Sequence, residues 1–126
     1  WLLTTLSNSS LLDHNSQLHV FSCENILSDD WKPHKKNPVI FDPFFARNAG
    51  LIIEDNNFYR VYQKPGFNRY GESLGVAKIE ELNEDNYKEQ SKFEVSHNFL
   101  KDIEGTHTYN FSNGLLVLDF LKTSKK

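Results

Sequence analysis

The chain contains no methionine and a single cysteine, Cys23, in 126 residues. One thiol can form neither an intrachain disulfide nor a CxxC metal pair, so a cystine-stapled scaffold is excluded. An intact translation product begins with Met, whereas this sequence begins Trp1-Leu2-Leu3 with no basic leader or cleavage site. It is therefore expected to be a processed chain or an excerpt of a longer one, and a cytoplasmic setting is favoured. No apolar run approaches the ~20 residues a membrane helix needs, so no membrane span is expected. Charge of neither sign dominates: 14 Lys and Arg face 17 Asp and Glu, for a net charge of −3. That balance offers no electrostatic grip on nucleic acid. GxGxxG and GxxxxGK[ST] are both missing, and Gly66, Gly71 and Gly75 are spaced for neither. The histidines (His14, His19, His34, His97 and His107) form no HExxH and no short pair. Zinc, and any cofactor, is therefore not expected.

What is present is an ordinary globular composition, 38% hydrophobic and 25% charged, sufficient for one modest core. Its dominant signal is short strands separated by turn residues. Gln17 to Cys23 alternates over strand length. Leu51-Ile52-Ile53 and Phe58 to Gln63 flank Asp55-Asn56-Asn57, whose residues tolerate positive φ, so this stretch reads as a hairpin. Leu74 to Ile79 reads as a strand. Thr108 to Phe111 and Leu115 to Phe120 flank Asn113-Gly114, a strong hairpin signal. Helix is scarce. Glu80 to Phe93 has its apolar residues, Leu82, Tyr87 and Phe93, off helical spacing, and reads as a short turn and linker. Ser28 to Pro33 reads as a capped turn carrying a buried Trp31. Phe41-Asp42-Pro43-Phe44-Phe45 reads as a loop and residues 122–126 as a polar tail. The fold class is all-β and antiparallel, either one sandwich or propeller blades of about 40–50 residues. On the propeller reading, residues 1–45 form a blade, 46–103 a second, and 104–121 the start of another. A ring needs at least about four blades, so that reading requires further sequence.

Two segments carry the best candidate binding chemistry. In Ala46-Arg47-Asn48-Ala49-Gly50, a charged and an amide side chain lead straight into an apolar strand, where side chains meet a sheet end. In Tyr59-Arg60-Val61-Tyr62-Gln63, alternation puts Arg60 with Tyr62 on one face and Gln63 on the other. Arg69-Tyr70-Gly71 and Gly105-Thr106-His107-Thr108 add a phenol and an imidazole. Guanidinium forks, amides, phenol and imidazole suit sugar hydroxyls, carboxylates or phosphates. The plainer alternative has Arg60 and Gln63 satisfying loop carbonyls and His107 bonded within the core. Among the carboxylates, Asp42, Glu72 and Glu104 sit beside aromatic or Gly residues where a cleft could form, but spacing alone identifies no catalytic pair. Cys23, in an alternating strand, reads as a packed thiol.

These segments, in this order, resemble a known pattern. Cys23 to His34 reads as a strand end followed by a turn with Leu27, Trp31 and His34. Asn37-Pro38-Val39, Ala46 to Gly50, Tyr59-Arg60 with Gln63, Tyr70-Gly71, Ile79 with Leu82 and Tyr87, and Gly105 to Thr108 follow. The chain is similar, from about Trp1 to Phe120, to the five-bladed propeller at the N-terminus of glucosamine inositolphosphorylceramide transferases. That domain belongs to the wider arabinanase, levansucrase and invertase-like superfamily that includes family 43 glycoside hydrolases. Asn48 departs from the Pro expected in Arg-Pro-Ala-Gly. The resemblance implies a carbohydrate-facing funnel lined by Arg47, Asn48, Arg60, Gln63, Tyr70 and His107, with His107 as counterpart of an axial histidine. It implies a carbohydrate or sugar-conjugate ligand and a neighbouring transferase domain. Three functions stay open: a carbohydrate-active enzyme domain, a non-catalytic sugar-binding or scaffold propeller beside a transferase, and a small autonomous adhesion module.

Overall fold

The computed structural model describes residues 1–67 and 71–122. Its elements are antiparallel strands and two single-turn 3₁₀ segments, with no α-helix among the described residues. The first sheet comprises β1 (Leu2–Asn8), β2 (Asp13–Ser22), β3 (Lys32–Pro33) and β4 (Ile40–Phe41). Here β2 is central, pairing β1 on one side and the short β3 and β4 on the other. Leu18 and Val20 are fully buried, two residues apart on one face, as period-two alternation requires. Asn37 copies a strand partner with its side chain: its amide accepts from Val20 N at 2.9 Å and donates to Val20 O at 2.8 Å.

The second sheet is a meander of β5 (Asn48–Glu54), β6 (Asn57–Lys64), β7 (Ser73–Leu82) and β8 (Tyr87–Ser96), in that order. Its first turn holds Asp55 at φ 48° and Asn56 at φ 60°, the paired left-handed conformation whose twist matches flanking strands. Asn113 and Gly114 repeat the device, at 51° and 78°, between β10 (Tyr109–Ser112) and β11 (Leu115–Leu118). A last pair joins β9 (Ile103–Gly105) to β12 (Leu121–Lys122). The all-β, antiparallel class expected from alternation and turn residues is what the chain adopts.

The core sits between the second sheet and the β10–β11 hairpin. Ala49, Ile52, Val61, Leu74 and Val76 are buried there, with Tyr59, Val95, Tyr109 and Phe111 packed around them. The opposite face of the same sheet carries Arg60 and Tyr62. Phe45 packs against Tyr62 there at a ring-centroid distance of 5.4 Å. Residues Arg60 to Gln63 of β6 are consequently buried on both faces, which is why they form a run rather than an alternation.

Three local expectations change. Residues 80–93 are not a turn and linker: they complete β7, turn at 83–86, and supply most of β8. The strand is hard to see because β8 is an edge with its outward side chains in water, and charge on an edge strand blocks stray pairing. Two register irregularities, between Val76 and Ala77 and between Ile79 and Glu81, further break the apolar period. Trp31 is half-buried rather than buried, and Pro33 lies inside the two-residue β3 at a sheet border, where a missing N–H is tolerated. Phe41 closes β4 before the loop begins. The polar tail expected at 122–126 falls mostly outside the described residues.

Candidate functional site

One end of the second sheet gathers polar side chains from four segments. They are the loop 42–47 entering β5, the end of β6, the start of β7 with the end of β8, and residues 106–108 leading to β10. Asp42 shapes the first: its carboxylate accepts from Phe44 N at 2.8 Å, and its carbonyl accepts from Phe45 N and Ala46 N. That turn delivers Arg47, whose guanidinium donates to the Asn15 side chain and reaches His14 O at 3.5 Å. The Arg47 carbonyl accepts from Gln63 N at 2.8 Å, which binds the loop to the end of β6.

Gln63 then bridges to the third segment, its Nε2 donating to His107 O at 3.1 Å. His107 is set by Asp119. One carboxylate oxygen accepts from His107 N and Thr108 N, both at 2.7 Å, and the other faces His107 Nδ1 at 3.1 Å. Burial alone would raise the Asp119 carboxyl, but the two backbone N–H groups and the imidazole outweigh it and hold the group below its ordinary value. Thr106 completes the clasp by donating to Asp119 O at 2.9 Å and, through its amide, to Gly71 O at 2.9 Å. Gly71 has φ 66°, and a Cβ there would lie 2.5 Å from His107 Cδ2. Glycine is needed for the turn and for the imidazole against it.

Beside this group lies a cleft of about 410 Å³ lined by Phe44, Lys64, Pro65, Glu72, Ser73, Glu94, Ser96 and His97. Lys64 pairs with Glu94, and Ser73 Oγ donates to the other Glu94 oxygen at 2.6 Å. Lys64 first, then Ser73, hold the Glu94 carboxyl below its usual range. His97 Nδ1 donates to Glu72 O at 2.7 Å. Aromatic, cationic, anionic and hydroxyl groups in one cleft can meet both the faces and the hydroxyls of a sugar ring.

The six residues expected to line a funnel therefore divide. Arg47, Gln63 and His107 come together. Asn48 turns away, toward β1: its N donates to Thr5 Oγ1 at 2.7 Å and its Nδ2 to Leu3 O at 3.1 Å, so it ties the first strands of the two sheets. Polar Asn serves where Pro could not, since both contacts use N–H groups. Arg60 faces no cleft. It is 0% exposed, donates to both Glu89 oxygens at 2.7 and 2.6 Å and to Phe45 O at 2.7 Å, and lies 5.0 Å from the Tyr62 ring centroid. Tyr70 lies outside the described residues. The carbonyl contacts of Arg60 and Gln63 are those of the plainer reading. Of the carboxylates singled out, Glu72 lines the cleft, Asp42 shapes the turn and Glu104 lies in β9. Lys64, Ser73, Glu94 and His97 carried no sequence signal; only β7–β8 pairing, which sets Ser73 opposite Ser96, brings them together.

No helix of the described residues is long and apolar enough to cross a membrane. No solved structure matches the chain. Glucosamine inositolphosphorylceramide transferase 1 of Arabidopsis thaliana is 37% identical over 92 residues, which cover 71% of this chain and 12% of that protein. The chain thus spans about an eighth of the length of the relative it matches. Residues 1–119 match the family described as glucosamine inositolphosphorylceramide transferase 1, N-terminal, and the chain belongs to that family.

Proposed function

We propose that the chain is part of a carbohydrate-active β-propeller that binds a glycan or sugar conjugate for a glycolipid-directed glycosyltransferase. The family match over residues 1–119 carries this reading, because the relative's name joins a sugar to a phosphorylated lipid. The topology supports the propeller part. Two successive antiparallel sheets are followed by a third hairpin, and the leading strands β1, β5 and β10 lie side by side, as leading strands do around a propeller axis. The proposed contact residues are Arg47, Gln63 and His107, with Tyr70 adjoining them in sequence; Asn48 and Arg60 act from behind by fixing the strands.

Binding is favoured over glycoside hydrolysis by one observation. Glu94, the cleft carboxylate with described partners, is engaged by Lys64 and Ser73, which keeps it ionised and unsuited to donating a proton. The domain would then present the sugar while a neighbouring transferase domain performs the chemistry. The test is Arg47→Ala and His107→Ala in the full-length protein, read by glycan-array binding and by sugar transfer to a glycolipid. Loss of glycan binding with intact folding is the expected result. Unchanged binding and transfer in both variants would remove the assignment.

A further inference from the structure

One buried acceptor in this site lacks a donor. Gln63 is only 8% exposed, and its Oε1 accepts no hydrogen bond from the described residues. The amide cannot simply be turned over, because Nε2 donates to His107 O, and exchange would set two carbonyl oxygens against each other. Gln63 lines a recess of about 10 Å³ together with Asn15, Pro43, Arg47, Pro65 and Gly71. That is room for a single water-sized group. The recess shares Pro65 with the 410 Å³ cleft, so a group seated in it stays attached to a body in the cleft.

The acceptor decides the ligand's chemistry. A hydroxyl has an O–H to donate to Gln63 Oε1 and lone pairs to accept from the guanidinium side of the recess. A phosphate or carboxylate oxygen has no hydrogen for Oε1 and would set negative charge against a carbonyl dipole. We propose that the recess seats one hydroxyl group of an uncharged polyol ring lying in the adjoining cleft, and selects that ring over its phosphorylated form. This rests on the sugar-binding reading above and narrows it to a ligand class. One buried hydrogen bond gained or lost corresponds to roughly tenfold in affinity.

The test titrates the isotope-labelled chain separately with myo-inositol, myo-inositol 1-phosphate and inorganic phosphate, following the Gln63 side-chain amide by NMR. Myo-inositol should shift that amide saturably, with a Kd roughly tenfold below that of its phosphate. Gln63→Met, which keeps the side-chain length and removes the acceptor, should weaken binding by a similar factor. Should that variant fail to fold, an intermolecular Overhauser effect between the wild-type Gln63 amide and a ring proton decides the matter. Phosphate shifting the amide as strongly as inositol overturns the proposal. So does a resident water at Gln63 that no polyol displaces, or the absence of any saturable shift. Polyol shifts confined to other residues overturn the recess while leaving the broader sugar-binding reading standing, which falls only if glycan-array binding is also absent.

Discussion

The Arg60–Glu89 pair gives the sharpest quantitative expectation. The Arg60 side chain is 1% exposed and that of Glu89 11%, so solvent screens neither appreciably. Glu89→Leu leaves a guanidinium inside the second sheet with Phe45 O as its remaining described hydrogen-bond acceptor, and Nη1 already lacks a partner among the described residues. An unpaired buried charge costs about 3–5 kcal/mol. With a urea m-value near 2 kcal/mol/M, the midpoint should fall by about 2 M. Arg60→Met combined with Glu89→Leu removes the charge altogether. It strands Phe45 O and the Tyr87 hydroxyl, which donates to Glu89, at about 1 kcal/mol each. The double variant should therefore be more stable than the Glu89→Leu single variant, with a coupling of at least about 2 kcal/mol in a double-mutant cycle. Urea unfolding followed by tryptophan fluorescence measures all four corners. A single variant that loses less than about 1 kcal/mol, or a double variant that costs the sum of the singles, would refute the reasoning. Arg60→Met that abolishes glycan binding at unchanged stability would instead return Arg60 to the ligand site.

Gly71→Ala should cost about 1–3 kcal/mol, from left-handed backbone plus the collision with His107. Gly114→Ala, also at positive φ but with nothing within 4 Å of the added Cβ, should cost only the backbone part, about 1–2 kcal/mol; equal thermal shifts would remove the His107 contact from the account. In alkali, burial first and then the Glu89 carboxylate push the Tyr87 phenol well above its usual value. The folded state then keeps a proton the unfolded state releases, so stability is present below pH about 10 and declines above it. Ultraviolet titration should show one tyrosine that ionises only on unfolding. In acid the signs reverse: Ser16 and the Asn15 amide hold Asp13 down at about 2, and Asp119 and Glu94 are also depressed. Stability should be lost as pH falls from about 4 toward 2, and Asp119→Asn should flatten that decline in acid-unfolding curves.

Much of the fold was legible because it was written in local chemistry. Asp55-Asn56 and Asn113-Gly114 specify left-handed turns whatever surrounds them, and the strands flanking each follow from pairing outward. Leu18 and Val20 show their face by alternation alone. Where a strand met water, as β8 does, the apolar period vanished and the pairing could be learned only from the partner β7. Arg60 shows the opposite case. Its residue type suggests an anion-binding fork, yet its partner Glu89 is 29 residues away and reaches it only because the meander lays β6 and β8 on either side of β7.

The candidate site divides the same way. That Arg47, Gln63 and His107 bear the right groups is a property of residue types. That Gln63 N meets the Arg47 carbonyl, and Gln63 Nε2 the carbonyl of a residue 44 positions on, is a property of packing between segments. Sequence alone determined that this chain is antiparallel β, where it turns, and which family it belongs to, because turn propensity and motif order are local and linear. Tertiary structure alone decided that Arg60 is buried, that Asn48 serves β1, and that Lys64, Ser73, Glu94 and His97 share a cleft with Glu72. Each depends on strand register and sheet contact, which join residues tens of positions apart.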